Sequence, residues 1–434
     1  MGESVRKFLI VLLSVLALQP AHAVSLISDT ETEKLLHKMI APVATAAKIP
    51  ANRLKIHIVN NSDFNAFVMG GEEVFIYTGL LMKIRDVNAL QAVVAHELGH
   101  TVGGHIEQMS SRMEAEMKRA VMIQALGIGL MVAGGNPSLG AGVLAGSGGV
   151  AKQSMLSFSR DEERIADDFA VDLMVQANIN PNGLITVFNQ MNDMMGATES
   201  KISKHNTNHP LTTERLKNTR EKLKTIKHSG DYTVYSDAEY ELVRAKLIGY
   251  LYPEGRVLDK YPYRDTSNPA LYARAIGNMR RGALDAARMG VRTLIGREPQ
   301  HPYFYELLGD IEYQFGHYDD SIVAYESALK YDNNAPQIQT ALALVLSERK
   351  KPDDNARAIE LCKTSLLREP APLTYWVLGK LYNDGREYWA MAEFYNMNGN
   401  SKKAKQFAKK AQDALKPDTP EYIKAGDILS GSGH

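Results

Sequence analysis

Between residues 30 and 80 the apolar positions first follow the period of a helix and then that of strands. From about 30 to 47, apolar side chains recur three or four residues apart, which is typical of an amphipathic helix. The runs Lys55 to Val59 and Val74 to Tyr77 are rich in β-branched and aromatic residues and predict two strands. Between them, Gly70-Gly71 predicts a turn, because glycine tolerates positive φ. The pattern therefore predicts a hairpin or a short mixed sheet.

Three further helices are predicted downstream, at Val87 to Ile106, 158–176 and 181–195. The segment 121–150 differs, because it is apolar and holds nine glycines. Each of its apolar pieces is shorter than the roughly 20 residues that span a bilayer. We interpret the segment as packed helical pieces or a loop over the functional site. A peripheral membrane contact through 121–150 is the alternative.

The C-terminal half shows a repeat of two helices. Four prolines mark successive units: Pro269, Pro302, Pro336 and Pro372. The steps between them are 33, 34 and 36 residues, and a period near 34 is typical of tetratricopeptide repeats. Such units stack into a curved array with a concave surface. We place an insertion near 385–398; a helical bundle without repeats is the alternative.

The composition limits which side chains could bind a metal in this chain. The chain has 434 residues, with 50 Lys and Arg against 50 Asp and Glu. A net charge of zero argues against nucleic acid as the main partner. Cys362 is the only cysteine, so an intrachain disulfide is excluded. A metal site in this chain must therefore rest on His, Asp and Glu.

The N-terminus has the pattern of a secretory signal. Arg6 and Lys7 precede an apolar run from Phe8 to Leu18, and Ala21-His22-Ala23 fits a small-x-small cleavage site. The run is shorter than the roughly 20 residues of a membrane-spanning helix. We predict that residues 1–23 are a signal peptide cleaved after Ala23; an uncleaved anchor is the alternative.

The strongest chemical motif is VVAHELGHTVGGH at residues 93–105. A helix turns by about 100° per residue, so His96 and His100 lie roughly 40° apart on one face and can bind one Zn²⁺. Glu97 lies beside them, placed to act on the metal's water rather than to bind the metal. His105 is five residues past His100 and lies on another face of a continuous helix. We expect His105 to pack or to form hydrogen bonds rather than to bind the metal.

A catalytic zinc usually has three protein ligands, so a further ligand is sought downstream. The run from Ser159 to Asp167, SRDEERIAD, offers Glu163 and Asp167 on one helix face. Glu163 can then bind the metal while Asp167 accepts the outer N–H of a histidine ligand. Spacing alone leaves two alternatives open: the acids belong to a solvated helix N-terminus, where carboxylates are favoured anyway, or Glu162 is the ligand instead.

HELGH and FSRDEERIAD resemble the motifs H-E-x-x-H and S-R-x-x-E-x-x-A-D of the M48 zinc metallopeptidases. The resemblance puts the metal-binding glutamate of the family on Glu163. Asn65-Ala66-Phe67 is similar to a family segment that forms part of an edge strand beside the cleft. His209-Pro210 is similar to an H-P segment of the family. We expect His209 near the metal, as an occluding fourth ligand or as a donor to the oxyanion.

The resemblance and the repeats imply a mainly α protein, in which a zincin-type metalloprotease domain with a small β-sheet precedes an α-solenoid of tetratricopeptide repeats. The expected divisions are a signal peptide at 1–23, the protease domain at 24–227, a helical connector at 228–265, the repeats at 266–420 and a tail at 421–434. We expect an extended substrate to pair with an edge strand formed by Val74, Phe75, Ile76 and Tyr77.

The resemblance also implies a function. It implies a periplasmic endopeptidase with one Zn²⁺ per chain that hydrolyses unfolded or misassembled envelope proteins. The repeats are expected to contact the outer-membrane assembly machinery. The alternative is a chaperone or adaptor of outer-membrane assembly that acts through its repeats, with a protease site that is normally closed.

Overall fold

The computed structural model describes residues 26–105, 108, 158–197, 209 and 211–431. They fall into two compact units. The N-terminal unit holds Val24–Ser28 and Thr32–Glu241, and the C-terminal unit holds Asp29–Glu31 and Leu242–His434. The predicted signal peptide and the glycine-rich segment 121–150 lie outside the described residues. Within the described part of the chain, no helix is long and apolar enough to cross a membrane.

The N-terminal unit contains a four-stranded sheet in the order β1-β2-β4-β3. Its strands are β1 (Leu26–Ile27), β2 (Lys55–Val59), β3 (Ala66–Met69) and β4 (Glu73–Tyr77). The turn between β3 and β4 uses Gly70 and Gly71, which have φ of 60° and 81°. This confirms the predicted glycine turn, because both angles lie in the region that favours glycine.

The predicted edge strand at Val74, Phe75, Ile76 and Tyr77 is wrong. β4 pairs with β2 in parallel and with β3 antiparallel, so both of its edges already carry ladder hydrogen bonds. Val74 and Ile76 are fully buried, which explains why the strand takes an interior position. In the described residues β3 pairs with β4 alone and so lies at the edge of the sheet.

Most of the rest of the N-terminal unit is helical. Its helices are α1 (Thr30–Ala46), α2 (Thr78–Lys83), α3 (Val87–Val102), α4 (Arg160–Gln176), α5 (Gly183–Ala197) and α6 (Thr213–Thr225), and α7 (Asp237–Leu251) contains the boundary between the two units. α3 packs against α4, α5 and β3. The side chain of Asp86 caps its N-terminus by accepting a hydrogen bond from the Ala89 N–H. The buried amide of Gln91 donates to the carbonyl of Met39 in α1.

Three glycines shape α3 and its end. A Cβ atom at Gly99 would lie 2.5 Å from the carbonyl oxygen of Ala166 in α4, so only glycine permits this close approach. The helix ends at Val102 rather than at the predicted Ile106, because Gly103 is its C-cap and Gly104 adopts a φ of 70°. α3 and α4 are thereby held close together next to the HELGH segment.

The C-terminal unit consists of paired helices, as the 34-residue period predicts. These helices are α8 (Glu254–Lys260), α9 (Asn268–Arg280), α10 (Leu284–Arg297), α11 (Pro302–Phe315), α12 (Tyr318–Tyr331), α13 (Pro336–Arg349), α14 (Asp354–Leu366), α15 (Pro372–Leu381), α16 (Arg386–Met397), α17 (Ser401–Ala414) and α18 (Pro420–Ser430). Each of the four repeating prolines lies in the first turn of a helix. Gly309 lies where α11 meets α12, and a Cβ there would be 2.6 Å from the Tyr325 ring.

The predicted insertion near 385–398 is wrong. Residues 386–397 are not an insertion, because α16 is the second helix of the pair that α15 begins. The longer step of 36 residues, from Pro336 to Pro372, comes from the turns on either side of α14 in the preceding pair of helices. The segment that follows the expected repeats contains α18, which packs on α17 and buries Ala425 and Ile428 in the core.

Candidate metal centre

α3 places the two histidines of HELGH side by side. His96 Nε2 and His100 Nε2 lie 3.2 Å apart, and both residues are buried. The i, i+4 spacing of the helix produces this proximity. Both rings therefore direct a nitrogen toward the same point.

Two neighbouring glutamates at the start of α4 have different partners. Ser159 caps the helix, and Glu162 completes a capping box: its carboxylate accepts from the Ser159 N–H at 2.7 Å. Glu163 is fully buried, and its oxygens lie 3.5 Å from His96 Nε2 and 3.6 Å from His100 Nε2. Glu163, and not Glu162, thus faces the histidines.

His209 joins this group from the chain that precedes α6. Its Nδ1 lies 2.8 Å from Glu163 Oε1 and 3.3 Å from His96 Nε2. Donor atoms of His96, His100, Glu163 and His209 all lie within 4.8 Å of one another. Three imidazoles and a carboxylate form a donor set that suits zinc, so the residues fit the metal that the sequence predicts.

An Asp–Arg pair lies behind the donor atoms. Asp167 Oδ1 lies 2.9 Å from His96 Nδ1, the nitrogen that faces away from His100. Arg215, on α6, makes a bidentate contact with Asp167 at 2.8 Å for both nitrogens. Its Nη1 also lies 2.5 Å from Glu163 Oε2. Arg215 is the residue that the sequence reasoning missed.

His100 has a different neighbour at its outer nitrogen. The end of α3 at Val102 lets the chain turn, and His105 Nδ1 lies 3.0 Å from His100 Nδ1. His105 is buried, and the ring of Phe158 stacks on His100 with a centroid separation of 3.8 Å. His105 thus packs on a histidine of the centre and is not among the four clustered donor residues.

Burial and charge set the protonation of these groups. Burial lowers the pKa of His100 to about 3, which keeps that ring neutral. Burial also opposes protonation of His96, but the carboxylates of Asp167 and Glu163 outweigh it and raise its pKa to about 10. For Glu163, burial is outweighed by hydrogen bonds from the three histidines, which hold its pKa well below the usual range.

Glu97 differs from the other carboxylates of the centre. It is 6% exposed, and its Oε1 lies 3.7 Å from His209 Nε2. Burial raises the pKa of Glu97, although the neighbouring His209 and His96 act in the opposite direction. Asp167 keeps a lowered pKa because hydrogen bonds from Arg215 and His96 outweigh its burial. A buried carboxylate with a raised pKa suits proton transfer near neutral pH.

The comparisons with known proteins match both halves of the chain. Residues 30–223 match the model of Peptidase family M48, and residues 309–348 match that of the TPR repeat. The chain is 23% identical over 344 residues to the Beta-barrel assembly-enhancing protease of Escherichia coli strain K12, covering 77% of this chain and 69% of that protein. It is 31% identical over 191 residues to Metalloprotease YcaL of the same strain, covering 43% of this chain and 69% of that protein.

The two family matches cover the residues that form the metal centre and the paired helices. HELGH and Glu163 lie inside the M48 match, and the helices from Pro302 to Arg349 overlap the repeat match. The chain therefore belongs to peptidase family M48 and is a metalloendopeptidase that carries tetratricopeptide repeats in its C-terminal half.

Proposed function

We propose that the chain is a zinc-dependent endopeptidase of the periplasm that hydrolyses unfolded or misassembled envelope proteins. The clustering of His96, His100 and Glu163 around one point, with Glu97 beside them, carries this proposal. The similarity to a protease named for β-barrel assembly supports a role in outer-membrane protein quality control. We infer that the repeats contact the assembly machinery, since stacked repeats offer a concave surface for protein partners.

In this proposal His96, His100 and Glu163 hold the zinc ion. When bound there, zinc polarises the scissile carbonyl and lowers the pKa of the attacking water. Glu97 accepts the proton of that water and donates it to the leaving amine. Asp167 fixes the ring of His96 through its outer nitrogen, at 2.9 Å, and Arg215 holds Asp167 in place.

The two neighbouring glutamates allow a matched test of the metal ligands. We expect about one zinc per wild-type chain by elemental analysis. The Glu163→Gln variant should lose metal affinity by at least about 10²-fold, because a neutral amide replaces a charged ligand. The Glu162→Gln variant should keep its zinc, since Glu162 lies in the capping box and glutamine also serves there.

Equal loss of zinc from both variants would point to a damaged helix α4 rather than to a lost ligand. Full zinc occupancy in Glu163→Gln would contradict the ligand assignment. Circular dichroism of the two variants separates these outcomes, because both changes leave the helix propensity almost unaltered.

A second candidate function is a chaperone or adaptor whose protease site is normally closed. The position of His209 favours it, because Nδ1 lies 2.8 Å from Glu163 and 3.3 Å from His96, among the atoms that would bind the metal. A third imidazole there would take the fourth coordination position, which an open catalytic zinc keeps for water. A chain in this state acts through its repeats until His209 moves away.

The His209→Ala variant tests this closure. If His209 blocks the centre in most molecules, the basal rate of hydrolysis should rise about tenfold or more, as a minor open state becomes the major one. The rate is measured on an unfolded protein substrate, with zinc content determined in parallel. A lower rate with zinc retained would assign His209 instead to the oxyanion, and an unchanged rate would contradict both roles.

A further inference from the structure

One face of α17, near the C-terminal end of the repeats, is covered by lysines. All five are exposed to solvent: Lys402, Lys403, Lys405, Lys409 and Lys410. At 100° per residue they occupy an arc of roughly 160° around the helix and about 12 Å of its length. Asp413 is the only acidic residue of α17. This surface, called the lysine face below, therefore carries five positive charges against one negative charge.

The opposite side of α17 is buried. Its alanines Ala404, Ala408 and Ala411 belong to the hydrophobic core of the C-terminal unit. They lie where α17 packs against α16 and α18. The lysine face is therefore the side of the helix that is left for an external partner, and the apolar side is already occupied.

The charges of the lysine face are not neutralised by the chain itself. Lys409 pairs with Asp413 at 2.9 Å, but both side chains are more than half exposed, and such pairs are weak. Within the described residues, the other four lysines have no ion pair. The Nζ atom of Lys403 lies 4.9 Å from the ring centroid of Tyr395, a contact that leaves its charge in place. A partner of this surface must therefore be anionic.

The type of cation favours a lipid surface over an acidic protein. Protein interfaces are enriched in arginine and depleted in lysine, and arginine binds carboxylates through two parallel hydrogen bonds. α17 has five lysines and no arginine. Lysine acts as a hydrated point charge that needs no fixed partner geometry. Near an anionic bilayer, each such lysine strengthens binding by about fivefold, so an array of them has a large combined effect.

We propose that the lysine face of α17 binds the chain to the surface of anionic phospholipid bilayers. The attraction is electrostatic, because the apolar side of α17 is buried in the core and does not enter the bilayer. Binding is therefore reversible and weakens as salt shortens the range of the charges. The inference does not depend on the peptidase function, since α17 contributes no residue to the metal centre.

The test is co-sedimentation of the zinc-loaded chain, in the form expected after signal cleavage, with vesicles of equal parts phosphatidylglycerol and phosphatidylcholine. We expect binding at about 0.1 M salt, where the screening length is roughly 10 Å. At about 1 M salt the screening length falls to roughly 3 Å, and binding should weaken at least tenfold. Vesicles of phosphatidylcholine alone carry no net charge and should not bind the chain.

Two matched triple variants locate the binding surface. The first removes three charges of the lysine face: Lys402→Gln, Lys405→Gln and Lys409→Gln. It should bind the anionic vesicles about 10²-fold more weakly, because each lysine contributes about fivefold. The control removes three exposed lysines elsewhere, with the same change in net charge: Lys227→Gln, Lys260→Gln and Lys330→Gln. The control should lose less than about fivefold.

A single charge reversal on the same face gives a second measurement. Lys405→Glu changes the charge by two and should weaken vesicle binding by roughly 25-fold. Glutamate and lysine have similar helix propensities, so α17 should persist, which circular dichroism checks. The rate of hydrolysis of a soluble unfolded protein, measured without vesicles, should stay unchanged in every variant. This rate separates a failure of the lipid proposal from a failure of the peptidase proposal.

Several outcomes would overturn the lipid assignment. Failure to bind the anionic vesicles, equal binding to both kinds of vesicle, or binding that ignores salt would each exclude an electrostatic membrane contact. Equal losses in the two triple variants would show that net charge, and not the lysine face, determines binding. Binding to soluble polyglutamate without binding to anionic vesicles would identify an acidic protein segment as the partner instead.

Discussion

Replacing Glu97 with glutamine should lower kcat for peptide hydrolysis by about 10²- to 10⁴-fold without removing the metal. Glutamine keeps the size and the hydrogen-bonding shape of the side chain but cannot accept the proton of the attacking water. Glu97 is buried, which raises its pKa, and it is not one of the four clustered donor residues. The rate is measured on an unfolded protein, and the zinc content is measured on the same sample.

The same variant distinguishes the two candidate functions. A Glu97→Gln protein that binds substrates without cleaving them retains them for identification by mass spectrometry. If cells carrying this variant keep normal outer-membrane assembly, hydrolysis is not the main role and the adaptor function is favoured. Loss of zinc from Glu97→Gln would instead make Glu97 a ligand and contradict its role as the base.

The sequence predicts those residues of the metal centre whose positions depend on the period of a single helix. HELGH places His96 and His100 together through the i, i+4 spacing of one helix. Spacing alone does not decide whether Glu162 or Glu163 binds the metal. The capping box explains the outcome, because a carboxylate three residues after Ser159 reaches back to the N-cap. The next carboxylate, at Glu163, faces the interior.

Contacts between distant segments were harder to predict. Arg215 meets Asp167 across 48 residues, and nothing in the sequence near Arg215 distinguishes it from a surface arginine. The sequence predicts the wrong edge strand, because strand order depends on a crossover connection that the alternation of apolar and polar residues does not encode. His105 lies against His100 because α3 stops at Val102, a boundary of the kind that periodicity fixes least well.

The second large effect is expected from Arg215→Met. Arg215 is 6% exposed and pairs with Asp167 and Glu163, which are 3% and 0% exposed. Removing the cation leaves buried carboxylates without their partner, which typically costs about 3–5 kcal/mol of unfolding free energy. Methionine keeps much of the apolar stem, so the loss is mainly electrostatic. Urea unfolding measures the effect, with Arg220→Met, an exposed position on the same helix, as the control.

Comparing the metal-loaded and chelator-treated proteins sharpens this prediction. A bound zinc ion supplies positive charge to Glu163, so Arg215→Met should destabilise the chelated protein more than the loaded one. Arg215→Lys should recover part of the loss, because lysine restores the charge but not the bidentate fork that holds Asp167. Equal destabilisation by Arg215→Met and Arg220→Met would show that the buried pairs contribute little. If Arg215→Met loses the same unfolding free energy with and without zinc, Arg215 stabilises Asp167 and does not balance the charge of Glu163.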